Sequence, residues 1–317
     1  MDLSVVVPVY NEEESIQELS EWIAKVCNDN RISYEILFVD DGSSDSSWEK
    51  ITKISSANSS VKGLRFRRNY GKAAALHTGF ANCSGNVVIT MDSDLQDSPD
   101  EIPELMRMIN DEGYDLVSGW KKKRYDPFIK RITSRFYNRT ARWASGIKLH
   151  DFNCGLKAYR NEVVKSIEVY GEMHRYIPML SKEAGFKKIG EKIVVHRSRK
   201  YGVTKYGLDR FIKGYLDLLT IGFITRFGKN PMHLFGFLGT LMFIAGFIMA
   251  GYLGIRKLVF VNQGLRAPLV TDSPFFFIAL TVMIIGSILF LTGFLGELVN
   301  RNSSERNNYL LKDKVNI

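Results

Sequence analysis

Two apolar runs without a single charged residue set the outer limits on this fold. Residues 234–255 (LFGFLGTLMFIAGFIMAGYLGI) and 275–296 (FFFIALTVMIIGSILFLTGFLG) contain no Asp, Glu, Lys or Arg. Each has the ~20 residues that a helix needs to cross a bilayer, and each is rich in glycine, as membrane helices often are. A buried hairpin in a soluble core is the alternative, and two runs of this length argue against it. A pair of spans returns the chain to the side it left, so the amino-terminal and carboxy-terminal parts are expected in one compartment. Met1-Asp2 leads directly into a strand-like segment, and no signal peptide is expected there.

Ahead of the spans the pattern is of another kind. Strand-type apolar runs at residues 3–9 (LSVVVPV), 34–39 (YEILFV), 61–66 and 86–91 alternate with helical stretches starting at Tyr10-Asn11-Glu12-Glu13 and reaching about residue 27, at 46–54 and at 71–81. Further strands are read at 115–119 and 185–196. This alternation predicts a mostly parallel sheet with helices on both faces. Two of the strands run straight into acids, Asp40-Asp41 and Asp92-Ser93-Asp94. Both acidic tips then share the carboxyl edge of the sheet, where folds of this kind bind ligands. Carboxylates there suit a hard divalent cation held together with substrate phosphates. An acidic turn that merely caps the next helix is the plainer alternative.

The net charge of +9 is unevenly spread. Lys121, Lys122, Lys123, Arg124, Lys130, Arg131, Arg135, Arg139 and Arg142 stand against the lone acid Asp126 between residues 121 and 142. Arg131, Arg135, Arg139 and Arg142 fall on one helix face beside an apolar stripe of Phe128, Ile132 and Phe136. With two spans downstream, anionic lipid or a phosphate substrate fits this face better than nucleic acid does. Residues 211–227, interrupted by Lys213, Asp217 and Arg226, read as a helix lying on the bilayer. Cys27, Cys83 and Cys154 have no metal spacing and read as reduced structural thiols. The five histidines lack ligand spacing as well. There is no Gly-x-Gly-x-x-Gly and no Walker lysine motif, which argues against a dinucleotide dehydrogenase or a P-loop enzyme.

VVVPVYNEE, VDDGSSD and MDSDLQD, at these separations, resemble the family 2 glycosyltransferases of GT-A fold. The dolichyl- and undecaprenyl-phosphate sugar transferases are the most similar branch, and the resemblance covers about residues 3–210. It implies an α/β GT-A Rossmann-like sheet in a catalytic domain at 1–205, a juxtamembrane amphipathic helix at 206–230, a two-helix transmembrane hairpin at 231–299 and a cytosolic tail at 300–317. It also implies roles. Pro8, Tyr10, Glu12, Asp40, Asp92 and Lys205 would bind the nucleotide. Asp92, Asp94 and Gln96 would hold Mg²⁺ or Mn²⁺ with the diphosphate. The acceptor phosphate would meet Lys121, Lys130 or Arg131, and Ser134, although the family commonly has Arg at the first of these. Asp94, Asp151 and Arg199 are the catalytic candidates, with Asp151 equally readable as a structural group. Arg199, Gly202, Thr204 and Lys205 match the family's Arg-x-x-Gly-x-Ser-Lys pattern with Thr in place of Ser.

The expected reaction is inverting transfer of one hexose from a nucleotide sugar to a polyprenyl phosphate. UDP-glucose with undecaprenyl phosphate is the first expectation and GDP-mannose the second, at the cytoplasmic face of a bacterial inner membrane and in a homo-oligomer. A processive polysaccharide synthase would carry Gln-x-x-Arg-Trp, whereas here Arg139 precedes Arg142-Trp143. A membrane-anchored, non-catalytic nucleotide-sugar scaffold is the third reading. It has no obvious need for Asp94.

Overall fold

The computed structural model describes residues 1–122, 138–142, 145–171, 173–197, 200–201, 231–265, 269–301 and 311–316. The chain divides into two units, Met1–Gly222 with Arg306–Ile317, and Phe223–Glu305. The first unit is built on a sheet of eight strands in the order β7-β5-β6-β4-β1-β2-β3-β8. They are β1 (Leu3–Val9), β2 (Tyr34–Asp40), β3 (Val61–Phe66), β4 (Val87–Thr90), β5 (Leu116–Trp120), β6 (Lys157–Arg160), β7 (Ile189–Ile193) and β8 (Leu311–Val315). Between the first strands run helices α1 (Ile16–Asp29), α2 (Ser47–Ala57) and α3 (Lys72–Asn82), and α4 (Ile102–Asn110) follows β4.

The continuous apolar runs of β1 and β2 are explained by cover on both faces. Ile36 and Phe38 of β2 enter a core with Ile16, Leu19 and Ile23 of α1, while Leu37 and Val39, pointing the other way, pack with Ala74 and Ala75 of α3. Strands β4, β1, β2 and β3 are mutually parallel, and β1 lies between β2 and β4. Successive connections therefore run to opposite sides of β1. Its carboxyl end is a topological switch point, the place where such sheets open a crevice. Pro8 sits inside β1 without harm. The carbonyl of Val9 accepts from Asp41 on the β2 side and that of Val6 from Met91 on the β4 side. By alternation Pro8 faces the β4 side, beyond the last β1–β4 pair at Val6 and Thr90, where no donor is needed.

Two strands have no counterpart in the sequence reading. Strand β6 pairs antiparallel with both β4 and β5, and β8 pairs antiparallel with β3. The four residues KAYR of β6 begin and end in a charge, and LKDKV of β8 carries the lysines that edge strands tolerate. Neither shows the apolar run that marks the central strands. Helix α1 also starts later than expected. Residues 10–15 form a loop instead, in which Asn11 has φ 51° and the Glu12 carbonyl accepts from both the backbone and the hydroxyl of Ser15.

The second unit holds helices Pro231–Asn262 and Pro274–Arg301, both long and apolar enough to cross a membrane. They approach through glycines at heptad spacing, the periodicity that keeps one seam of each helix facing its partner. A Cβ on Gly239 would lie 2.5 Å from the carbonyl oxygen of Gly286, and one on Gly286 would lie 2.7 Å from that of Gly239. Gly246 meets the Ala279 carbonyl at 2.7 Å, and Gly293 meets Cβ of Phe235 at 3.0 Å. These contacts are backbone or near-backbone, so no rotamer change relieves them. Gly286→Leu is expected to split the hairpin by overpacking, at a cost of about 1–3 kcal/mol or more. A lowered melting temperature of the detergent-purified protein checks this, and an unchanged one contradicts it.

Candidate active site

The first wall of the site is a pair of loops stapled together at the carboxyl ends of β1 and β2. The backbone N–H of Asn11 donates to the Ser43 hydroxyl (2.9 Å) and that of Ser44 to the Asn11 side-chain oxygen (2.8 Å). Glu12 N–H reaches Ser47 Oγ (3.0 Å), Glu13 N–H reaches Asp45 (3.2 Å), and Ser46 N–H reaches Glu13 (3.1 Å). Glu13 and Asp45 are thus structural clips. Tyr10 stays 40% exposed above them, and Asp40 is wholly buried below. Asp40 accepts from Ser43 N–H at 3.0 Å and lies 3.3 Å from the guanidinium of Arg65; burial nevertheless raises its carboxyl above the usual range.

Its neighbour Asp41 accepts two backbone N–H groups, from Tyr70 (2.7 Å) and Gly71 (2.9 Å), which fixes the start of α3. Burial pushes Asp41 up to about 6, ahead of the opposing effect of those two bonds. A carboxyl raised in the folded state binds more protons there than in the unfolded chain, so its contribution to stability falls as pH rises from about 4 to about 6. Asp41→Asn is expected to flatten the pH dependence of stability across that window. Denaturant unfolding at pH 4 and pH 7 checks this, and an unaltered slope contradicts it.

The second wall is the acidic turn after β4. Leu95, buried at 4% exposure, holds φ 59°, a conformation that a leucine adopts only under constraint and that is often found at functional sites. Along this turn Asp92, Asp94 and Gln96 are part-exposed, while Ser93, Leu95 and Asp97 are buried. Asp97 is fully buried and paired with Lys121 at 2.7 Å. Asp92, about one third exposed (32%), is paired with Lys72 at the start of α3. Desolvation is the largest effect on Asp92 and would raise it, but the charges of Lys72, Lys121 and Lys157 together hold it below the usual range. Asp94 goes the other way, raised by burial and then by the neighbouring Asp92 and Asp97. The turn is bound to the segment after β7: Arg197 N–H donates to the Gln96 carbonyl (2.9 Å), and the guanidinium of Arg197 stacks 4.3 Å from the ring centre of Trp22.

The third wall is β6 with the loop before it. Asp151 is 1% exposed and accepts from the backbone of Asn153 at 3.1 Å. His150, just ahead of it, stacks on Trp120 with ring centres 4.2 Å apart, and its backbone N–H donates to the Glu191 carboxylate at 2.6 Å. Gly155 lies directly against the acidic turn, since a Cβ there would fall 2.5 Å from Asp92 Oδ2. The thiol of Cys154 is buried and pushed up to about 12 by desolvation, which fits a structural cysteine.

The structure therefore gathers Tyr10, Glu12, Asp40, Asp92, Asp94, Gln96, Lys121 and Asp151 around the carboxyl edge of one sheet, with Pro8 in the strand below. Lys121 is turned into the acidic cluster and is only 12% exposed in its side chain. Lys130, Arg131, Ser134, Arg199, Lys205 and the helix expected at 211–227 lie outside the described residues. Lys72, paired with Asp92, and Lys157, whose charge also acts on Asp92, adjoin the acidic turn and carried no signal in the sequence. Lys72 opens a helix that reads as alanine-rich core, and Lys157 belongs to the strand that its own charge disguised.

A family model described as Glycosyl transferase family 2 matches residues 4–168. The dodecaprenyl-phosphate galacturonate synthase of Rhizobium johnstonii (strain DSM 114642 / LMG 32736 / 3841) is 33% identical over 304 residues, which is 95% of this chain and 88% of that protein. The chain belongs to glycosyl transferase family 2. Glucosyl-3-phosphoglycerate synthase from Mycobacterium tuberculosis, solved in complex with Mn²⁺ and UDP-glucose, superposes on this family 2 chain with TM-score 0.55 at 22% identity, covering 72% of this chain and 79% of that one. The same enzyme with phosphoglyceric acid gives TM-score 0.54 at 22% identity, over 71% and 79%. The likeness in fold places this family 2 sheet among GT-A structures, as the motifs imply.

Proposed function

We propose that this glycosyltransferase moves a single sugar from a nucleotide sugar to a polyprenyl phosphate, with inversion, at the cytoplasmic face of a membrane. The observation that carries the reading is the extent of its likeness to the dodecaprenyl-phosphate enzyme, which takes in 95% of the chain and so the two apolar helices as well as the sheet. The close packing of the two apolar helices against each other, Gly239 against Gly286 and Gly246 against Ala279, supports a hairpin whose ends share one side. Glucose and mannose were the expected sugars; the relative's name adds galacturonate.

The stapled loops carrying Tyr10 and Glu12, with Asp40 beneath, hold the nucleoside. Asp92, Asp94 and Gln96 would hold Mg²⁺ or Mn²⁺ with the diphosphate. The donor set fits: it is all oxygen, and burial beside Asp92 and Asp97 leaves Asp94 in want of a positive charge. Among the described residues no three His, Cys, Asp or Glu side chains form a metal cage, and a cation of this class completes its shell from substrate phosphates. When bound, the ion supplies Lewis-acid stabilisation of charge on the departing diphosphate. A phosphate oxygen of the acceptor attacks the anomeric carbon while the bond from that carbon to the diphosphate oxygen breaks. No general base is required, because the second pKa of a phosphate monoester is near ~6. Asp151, buried close to Lys157, then acts as a positioning residue. The test offers the purified protein Mn²⁺ and a panel of UDP- and GDP-sugars, with and without undecaprenyl phosphate. Nucleoside diphosphate release that depends on the lipid supports the proposal, and no release with any of the donors, or release that is equal without lipid, overturns it.

A further inference from the structure

The acidic turn after β4 carries three carboxylates within six residues, Asp92, Asp94 and Asp97, and the structure shares cations among them unequally. Asp92 takes Lys72. Asp97 takes Lys121, whose ammonium lies 2.7 Å from Oδ1. Among the described residues Asp94 makes no ion pair, and its side chain accepts the Gln96 N–H at 3.2 Å.

The two pairs differ in burial. The side chains of Lys72 and Asp92 are 28% and 32% exposed, against 12% for Lys121 and none for Asp97. Cys154, itself buried, lies close enough to feel both charges of the deeper pair, and Gly119 closes the space at the end of β5, where a Cβ would fall 2.8 Å from Cys154 Sγ. Asp97 is also the anchor of the turn. Its backbone is bridged antiparallel to His196, and the carbonyl of Gln96 beside it receives the Arg197 N–H at 2.9 Å. Desolvation acts against the ionised forms of Asp92 and Asp94, and the charge of Lys121 acts for them.

The family resemblance puts the acceptor phosphate at Lys121. A phosphate that drew the ammonium away would leave Asp97 buried without its cation, and breaking a buried pair from one side is strongly destabilising. Lys122, exposed and 5.7 Å from the ring centre of Trp120, is under no such constraint. We infer that Lys121 is a positioning residue of the acidic turn and not a ligand of the acceptor phosphate: its pair with Asp97 holds Asp94 and Gln96 in place. This rests on the transfer reaction proposed above. Without Lys121 the buried Asp97 carboxylate has no counter-charge, and the turn relieves it by moving outward with Gln96 and Asp94.

The test measures kcat and KM for undecaprenyl phosphate on the full-length protein in detergent, for Lys121→Met and for Lys121→Met combined with Asp97→Asn. Because a displacement of about 1 Å can cost on the order of 10²-fold in rate, Lys121→Met is expected to lower kcat by about 30-fold or more, with KM for the lipid within about threefold of wild type. Removing the Asp97 charge as well is expected to recover about tenfold of that loss, the coupling that contacting residues show. A lipid KM raised about tenfold or more in both variants is the signature of an acceptor ligand; it overturns the inference and leaves the lipid-phosphate transferase standing. Wild-type kcat in Lys121→Met, or a double variant no better than the single one, overturns it too. The wild type supplies a readout that needs neither a folded variant nor turnover. Under reductive methylation followed by peptide mass spectrometry, Lys121 is expected to react about tenfold or more slowly than Lys122, with the lipid and without it, because a buried, paired ammonium rarely yields a free amine. Equal labelling of the two lysines without the lipid overturns the inference.

Discussion

Asp94→Asn is expected to lower sugar transfer by about 10²–10³-fold, the scale on which loss of one preorganised electrostatic group acts, while leaving the protein folded. The two halves of that expectation have one physical origin. Burial and the neighbouring carboxylates of Asp92 and Asp97 raise Asp94 above the normal range, which means that its charged form is unwelcome in the folded protein until a cation arrives. Asparagine keeps the shape and the side-chain oxygen that accepts the Gln96 N–H at 3.2 Å, and it removes the unwelcome charge. Thermal stability should therefore hold or rise as activity collapses, the exchange often seen at functional sites. Melting temperature and turnover measured on one preparation check this. Activity within threefold of wild type would show that Asp94 has no part in the chemistry.

Gly155→Ala should be nearly as damaging, although the residue carries no functional group. The added Cβ would fall 2.5 Å from Asp92 Oδ2 and 2.6 Å from its Cγ, distances that no real contact sustains. Asp92 is a short side chain pinned by Lys72, so it must leave its place or drag Lys72 with it. Displacement of a reacting group by about 1 Å can cost on the order of 10²-fold in rate, and a loss of that size is expected here with a small change in stability. A variant that retains full kcat/KM would show that the position of Asp92 is not critical.

These two residues also mark how far the sequence could be read. Asp94 was legible because an apolar strand ended in acid, and the alternation of strands and helices put that end beside Asp40. Gly155 was not, since nothing in Asp151-Phe152-Asn153-Cys154-Gly155 says that an antiparallel strand follows and turns this loop against Asp92. The same gap hid Lys157. Strand β6 lies between β4 and β5 with Lys157 only 3% exposed, yet the residues KAYR are polar enough to read as surface. Lys72 was obscured for another reason: its partner Asp92 is twenty residues away, and only the crossing of α3 over the sheet brings them together. Strand β8 follows the two apolar helices in the chain, a pairing between residues 63–66 and 311–315 that no local pattern announces.

The most direct test of the account is the mass of the lipid product, together with the identity of the nucleotide released. Purified protein incubated with Mn²⁺, undecaprenyl phosphate and its preferred nucleotide sugar is predicted to yield a lipid that carries one phosphate and one sugar, with nucleoside diphosphate released in equal amount. A lipid diphosphate sugar accompanied by nucleoside monophosphate would contradict it, because the bond broken would then lie between the two phosphates and not at the anomeric carbon.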